Sequence, residues 1–247
     1  MKPVQRRCAF FDIDGTLFEG FIIQSFPRFL ADKGLIKATY PNKIDKIVSD
    51  YHSGKATYRE VAEAVPRFYA SALKGRRMND VRTWARRFMK VYLPRQIFSY
   101  SKQLIYHVRN LVDVTIAISG SPIEVVEETR ELGFDSVIGS LFEEKNGVYT
   151  GRVIANLILG EEKAEFARKI CETLDVDLSR TVAFGDTDQD EPLLSMVSLP
   201  IAINPNKRLK DICTSRGWRS LEEENLNDLN KVIRWLKHKI RSQWSEK

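Results

Sequence analysis

Four short runs, Cys8–Phe11, Val114–Ile118, Thr181–Phe184 and Leu199–Ile203, are apolar or β-branched throughout, with no alternation of apolar and polar residues. Strands that read this way must be covered on both faces, which is the situation in a parallel sheet flanked by helices. Strand-type runs alternate here with stretches of helical spacing. The pattern predicts an α/β protein with a doubly wound parallel, Rossmann-like sheet. In such sheets ligands sit at the carboxyl ends of the strands. Three of the runs end in residues suited to chemistry: Asp12-Ile13-Asp14-Gly15-Thr16, Ser119-Gly120-Ser121-Pro122, and Gly185-Asp186-Thr187-Asp188-Gln189-Asp190.

The first of these carries most of the argument. In an extended segment, side chains two residues apart point the same way, so Asp12 and Asp14 can converge on one small volume. Gly15 lets the backbone turn sharply, and Thr16 adds a hydroxyl. Close carboxylates suit a hard cation such as Mg²⁺, with one acid left for nucleophilic or proton-transfer work. Clustered acids recur around Asp186 and Asp190, an arrangement that is costly without a neutralising cation. Ser119 lies at a strand end facing a helix N-terminus, where an anion is favoured. Ser121 and Glu124 have capping-box spacing, with Pro122 at the first helical position. Lys163 falls in the first turn of the helix that follows Gly160, where a cation opposes the helix dipole, which hints at another purpose.

Residues 20 to about 110 read as helices only. Stops are expected at Gly34, Gly54 and Gly75, a capping box at Thr57–Glu60, a kink at Pro66, a fourth helix capped by Asn79 and running to Leu93, and a fifth from Pro94 to Asn110. After them come a short strand at Asp135–Ser140, a hairpin turn at Asn146-Gly147 and a closing amphipathic helix, Leu226–Trp244, expected to pack on the core. The domain reading is therefore a catalytic core of residues 1–19 and 106–247 with an inserted helical cap domain of residues 20–105. The net charge of +6 is uneven: residues 21–105 hold 17 Lys/Arg against 6 Asp/Glu, leaving the remainder at −5. That asymmetry suggests two regions with different tasks. No apolar run is long enough to span a membrane and no signal-like stretch opens the chain, so a cytoplasmic protein is expected. Cys8, Cys171 and Cys213 lack metal-ligand spacing and read as buried thiols; His52, His107 and His238 are scattered and are not expected to be ligands.

These motifs, in this order, resemble those of the haloacid dehalogenase superfamily, and the insert is similar to its type 1 cap. Ser119-Gly120-Ser121-Pro122, Val148-Tyr149-Thr150-Gly151 and the Asn204-Pro205 to Gly217-Trp218 segment look like the phosphoserine-phosphatase-like branch. The resemblance implies a phosphatase in which Asp12 attacks phosphorus and Asp14 serves as acid and then base. It further implies that Thr16, Ser119, Gly120 and Lys163 hold the phosphoryl group, and that Mg²⁺ sits among Asp12, Asp14 (through its carbonyl), Asp186 and Asp190. Relatives that act on halides lack the acid at the position of Asp14, which favours phosphate chemistry.

The substrate pocket departs from the pattern. Phosphoserine phosphatases carry a glutamate where this chain has Phe21, and their carboxylate-binding arginine falls near Val65, with Arg67 close by. The expected substrate is a small anionic phosphorylated metabolite; the basic charge of the cap reads as solvated helix surface, with a lining of the cleft over Asp12 as the alternative, and neither a nucleic acid nor a membrane is expected as partner. Two other readings stay open. One is a phosphotransferase or phosphomutase with the same intermediate. The other is a polyanion-binding protein using Arg76, Arg77, Arg82, Arg86, Arg87 and Lys90.

Overall fold

The structure is a computed structural model that describes residues 6–244. It opens with β1 (Arg6–Phe11), followed by five helices: α1 (Ile22–Asp32), α2 (Thr39–His52), α3 (Tyr58–Leu73), α4 (Met78–Gln96) and α5 (Ser101–Arg109). Next come β2 (Val114–Pro122), the short α6 (Ile123–Val126), a 3₁₀ segment (Glu127–Leu132) and the hairpin β3 (Ser136–Lys145) and β4 (Val148–Ala155). The chain continues through α7 (Gly160–Thr173), β5 (Val176–Gly185), α8 (Glu191–Ser195), β6 (Leu199–Ile203), α9 (Lys207–Arg216) and β7 (Arg219–Leu221). It closes with α10 (Glu223–Leu226) and α11 (Leu229–Trp244).

The strands form one sheet in the order β4-β3-β2-β1-β5-β6-β7, parallel except for the β3/β4 hairpin. The α/β architecture is thus as expected. β1 is the middle strand, and the chain is laid out to either side of it, so the carboxyl ends of β1, β2 and β5 share one crevice. Alternation along β1 explains why both faces are buried. Phe11 stacks on Phe184 and belongs to the buried cluster that includes residues of α5 and α11, while Phe10 belongs to the opposite cluster, with residues of α7, α8 and α9. The closing helix packs on the core as expected, with Leu226, Leu229, Val232, Ile233, Leu236 and Ile240 buried, although it is broken, Leu226 closing α10 and the others lying on α11.

Three local expectations are corrected. Pro94 does not open a helix: it sits in the last turn of α4, where its missing N–H costs a single bond and the Ile97 amide still reaches the Leu93 carbonyl at 3.0 Å. The fifth helix therefore starts at Ser101. Ser121 caps no helix, because β2 runs on to Pro122 and the Ser121 hydroxyl is used elsewhere. β3 is longer than expected, since it pairs with β2 as far as Ser140 and with β4 from Leu141 onward. All three cysteines are buried and unbridged. Among the described residues, no helix is long and apolar enough to cross a membrane.

Candidate active site

The carboxyl ends of β1 and β5 bring three acids together. One carboxylate oxygen each from Asp12, Asp186 and Asp190 lies within 4.8 Å of the others, and all three residues are buried. Glycine makes this packing possible. A Cβ on Gly15, whose φ is +84°, would lie 2.0 Å from Asp186 Oδ2, and one on Gly185 would lie 2.6 Å from the Asp190 Cβ. Lys163, buried on α7, donates from Nζ to Asp12 Oδ1 and to Asp190 Oδ1, each at 2.7 Å. Its counter-charges explain a cation where the helix dipole disfavours one. Thr16 donates to Asp12 Oδ2 at 3.0 Å and lies 3.2 Å from Asp186 Oδ1. Asp190 Oδ2 accepts the amides of Asp186 and Thr187, both at 3.1 Å, so this side chain is held on both oxygens.

Asp14 is placed differently from what the two-residue spacing suggests. Its carboxylate does not join the three-acid cluster. Oδ2 accepts from Ser119 and Ser121, each at 2.8 Å, and Oδ1 accepts the Ile22 amide at 2.8 Å. β1 has ended by then, and the chain is already turning into Gly15, so strand alternation no longer holds. The result is two acids with different surroundings.

Electrostatics follows from burial. Desolvation pushes Asp12 up to about 7 against the opposing pull of Lys163, and raises Asp186 well above the usual carboxylate range, with Asp12 adding to the effect. Burial works against the Lys163 charge, but Asp12 and Asp190 outweigh it and keep the ammonium protonated. Desolvation also raises Asp14, partly offset by the Ile22 amide and the two serine hydroxyls. Three buried acids with one lysine leave a site short of positive charge. An oxygen-only donor set at this spacing fits a hard divalent cation such as Mg²⁺.

A cleft of about 470 Å³ opens above these groups. Asp12, Asp14, Gly120, Lys163, Asp186 and Asp190 line it, whereas Thr16 and Ser119 lie beneath the lining. The segment between β1 and β2 supplies its other wall, mostly apolar and aromatic, with Phe21, Val48, Tyr51 and Tyr58 among its members and Gln24 and His52 its polar ones. No Lys or Arg from that segment lines it. Arg76, Arg77, Arg82, Arg86, Arg87 and Lys90 are all exposed, in keeping with a solvated helix surface. Sequence reasoning missed Ser121 and Thr187 as supports of Asp14 and Asp190. Both carried a signal: Ser119-x-Ser121 repeats the same-side spacing of Asp12-x-Asp14, and Thr187-x-x-Asp190 has the form of a capping box, which the structure contains.

The fold and this cluster of acids, lysine and hydroxyls define a class, and comparison with known proteins agrees. The profile of the haloacid dehalogenase-like hydrolases matches residues 9–195, and the chain belongs to that family, with its phosphatases on the phosphoserine-phosphatase-like branch. Phosphoserine phosphatase SerB1 of Mycobacterium tuberculosis is 27% identical over 214 residues, which span 85% of this chain and 68% of that one. Histidinol-phosphatase of Neisseria meningitidis is 27% identical over 220 residues, 86% of this chain and 97% of that protein. Among solved structures, a protein of unknown function from Bordetella pertussis superposes with a TM-score of 0.75 at 23% identity, covering 88% of this chain and 99% of that one. A phospho-aspartyl intermediate analogue of phosphoserine phosphatase gives 0.64 at 22% identity, with 94% and 99% covered.

Proposed function

We propose that the chain is a Mg²⁺-dependent phosphomonoester hydrolase that works through an aspartyl-phosphate on Asp12. The observation that carries this reading is the division of labour between two acids on one turn. Asp12 is pinned by Lys163 and Thr16 within the acid cluster, while Asp14 is held on the cleft wall by Ser119, Ser121 and the Ile22 amide. In the first step Asp12 forms a bond to phosphorus as the bond to the ester oxygen breaks, and Asp14 gives that oxygen its proton. In the second, water attacks phosphorus and passes a proton to Asp14, the Asp12–phosphorus bond breaks, and phosphate leaves. The raised pKa of Asp14 suits a group that must start protonated.

Lys163 uses two of its three N–H donors on Asp12 and Asp190, leaving one for a phosphoryl oxygen beside the Gly120 backbone. Thr16 and Ser119 then act from below by orienting the two acids. Asp12, Asp186 and the Asp14 carbonyl would hold Mg²⁺, with Asp190 in support; when bound, the ion supplies charge stabilisation for the transferring group. The helices of residues 20–105 form the cap in this reading, with residues 1–19 and 106–247 as the catalytic core.

The test is release of inorganic phosphate from a panel of phosphate esters, including phosphoserine and histidinol phosphate, with and without Mg²⁺. Asp12→Asn is expected to lower turnover by several orders of magnitude, because an amide is a poor nucleophile and a poor metal ligand. Retention of more than about a tenth of the activity would overturn the covalent route.

A further inference from the structure

We propose that the cleft selects esters whose leaving group carries an uncharged aromatic ring and no second anion, and that Tyr51, Tyr58 and Phe21 recognise that ring. The inference rests on the phosphatase reading and adds the substrate class to it. Three independent features of the wall opposite the acids point there.

The first is charge. Beyond the acid cluster, Asp188 also lines the cleft, and the one ammonium among the lining residues, Lys163, already faces Asp12 and Asp190. A carboxylate or second phosphate on the leaving group would meet no Lys or Arg in this lining beyond Lys163, only the imidazole of His52 at the exposed edge, and a buried unpaired charge is costly. The second is shape. The rings of Tyr51 and Tyr58 lie 5.9 Å apart at 74°, forming an aromatic corner. A flat ring entering it can stack on one tyrosine and present its edge to the other. Tyr58 is fixed in place, its hydroxyl donating to the Ile158 carbonyl at 3.1 Å. Behind the corner, Ile23, Ile44 and Val65 form a buried apolar cluster against which Val48, Val61 and Ile158 pack. The wall is therefore largely apolar and aromatic, with Gln24 and His52 as its polar members.

The third feature is Phe21. It stays 47% exposed although it lines the cleft, a large apolar side chain left for a ligand to cover. The next residue's amide is bonded to Asp14, which keeps this ring beside the acid that protonates the leaving oxygen. A ring one or two carbons from the ester oxygen would meet Phe21 at one edge and the tyrosine corner at the other.

The experiment compares esters of primary alcohols that differ in the group carried on the second carbon: ethyl phosphate, 2-phenylethyl phosphate and its ring-carboxylated counterpart. We expect kcat/KM for 2-phenylethyl phosphate to exceed that for ethyl phosphate by about 30-fold, the scale set by burying one ring. Adding the carboxylate should remove at least about tenfold of that gain. Tyr51→Ala should lower the phenylethyl-to-ethyl ratio by about tenfold, chiefly through KM, and Tyr51→Phe should preserve it. Cleavage of all three esters at equal efficiency, or a preference for the carboxylated one, overturns the inference and leaves the phosphatase reading standing. Release of phosphate from none of these esters or the wider panel overturns both.

Discussion

Ser121 accepts the amide of Ile23 at 3.1 Å while its own hydroxyl donates to Asp14. One side chain thus steadies both the acid and the start of α1. Its hydrogen bond to Asp14 favours the ionised form and so lowers a pKa that burial raises. In Ser121→Ala the Asp14 pKa rises further, and the alkaline limb of kcat/KM, where Asp14 loses the proton it must donate, moves to higher pH with activity down by about tenfold. A pH profile recorded beside the parent enzyme checks this, and an unmoved limb would separate Asp14 from that step. At this scale the sequence exposed Asp12, Asp186 and Asp190 as clustered acids, whereas the two-residue spacing from Asp12 misplaced the Asp14 carboxylate. Lys163 was visible only as a cation out of place at a helix start. The use of Ser121 was hidden because Ser-x-x-Glu fits a helix cap as well; Glu124 instead accepts the Tyr149 hydroxyl, and no local pattern announces a partner 25 residues away.

The helix α3 begins where its residues say it should. The Thr57 amide donates to Glu60 Oε2 at 2.7 Å, and the Glu60 amide donates to Thr57 Oγ1 at 3.3 Å. Removing that cap with Thr57→Ala should cost about 1 kcal/mol and lower Tm by about 2–4 °C for a chain of this size. Because Tyr58 is the first helical residue, the same change should raise KM for ring-bearing esters. Calorimetry decides the first expectation, and an unchanged Tm would mean that the box contributes nothing. Local signals of this kind also located the hairpin turn, where Asn146 and Gly147 both take positive φ. What such signals did not convey is that the hairpin docks on the insert. Main-chain bonds join Gly75, Arg76 and Met78 to Tyr149 and Gly147, a pairing set by tertiary packing and not by either segment's own pattern.

Across the whole molecule, the positive charge of the insert lies on its outer surface and the acid excess lies in the cleft. Metal binding should therefore stabilise the protein. At a hundredfold excess over Kd, Mg²⁺ adds about 2.7 kcal/mol, a Tm rise on the order of 5–10 °C. The sign of the pH effect follows from the raised acids. In the metal-free protein, Asp12 at about 7 and the raised Asp186 hold protons that the unfolded chain releases near pH 4. The native state then binds more protons, so stability falls as pH rises from about 4 to 7, and Mg²⁺ should remove most of that fall. Thermal melts in EDTA and in Mg²⁺ across this range test both statements; equal curves would show that the acids hold no ion. Finally, the bonds from the Ile22 and Ile23 amides to Asp14 and Ser121 have a mechanical meaning. They fasten the first turn of α1 to the rim of the sheet, so a swing of the insert that keeps them must pivot there. Such a swing would leave Phe21 beside Asp14 and carry Tyr51 and Tyr58, on α2 and α3, along an arc.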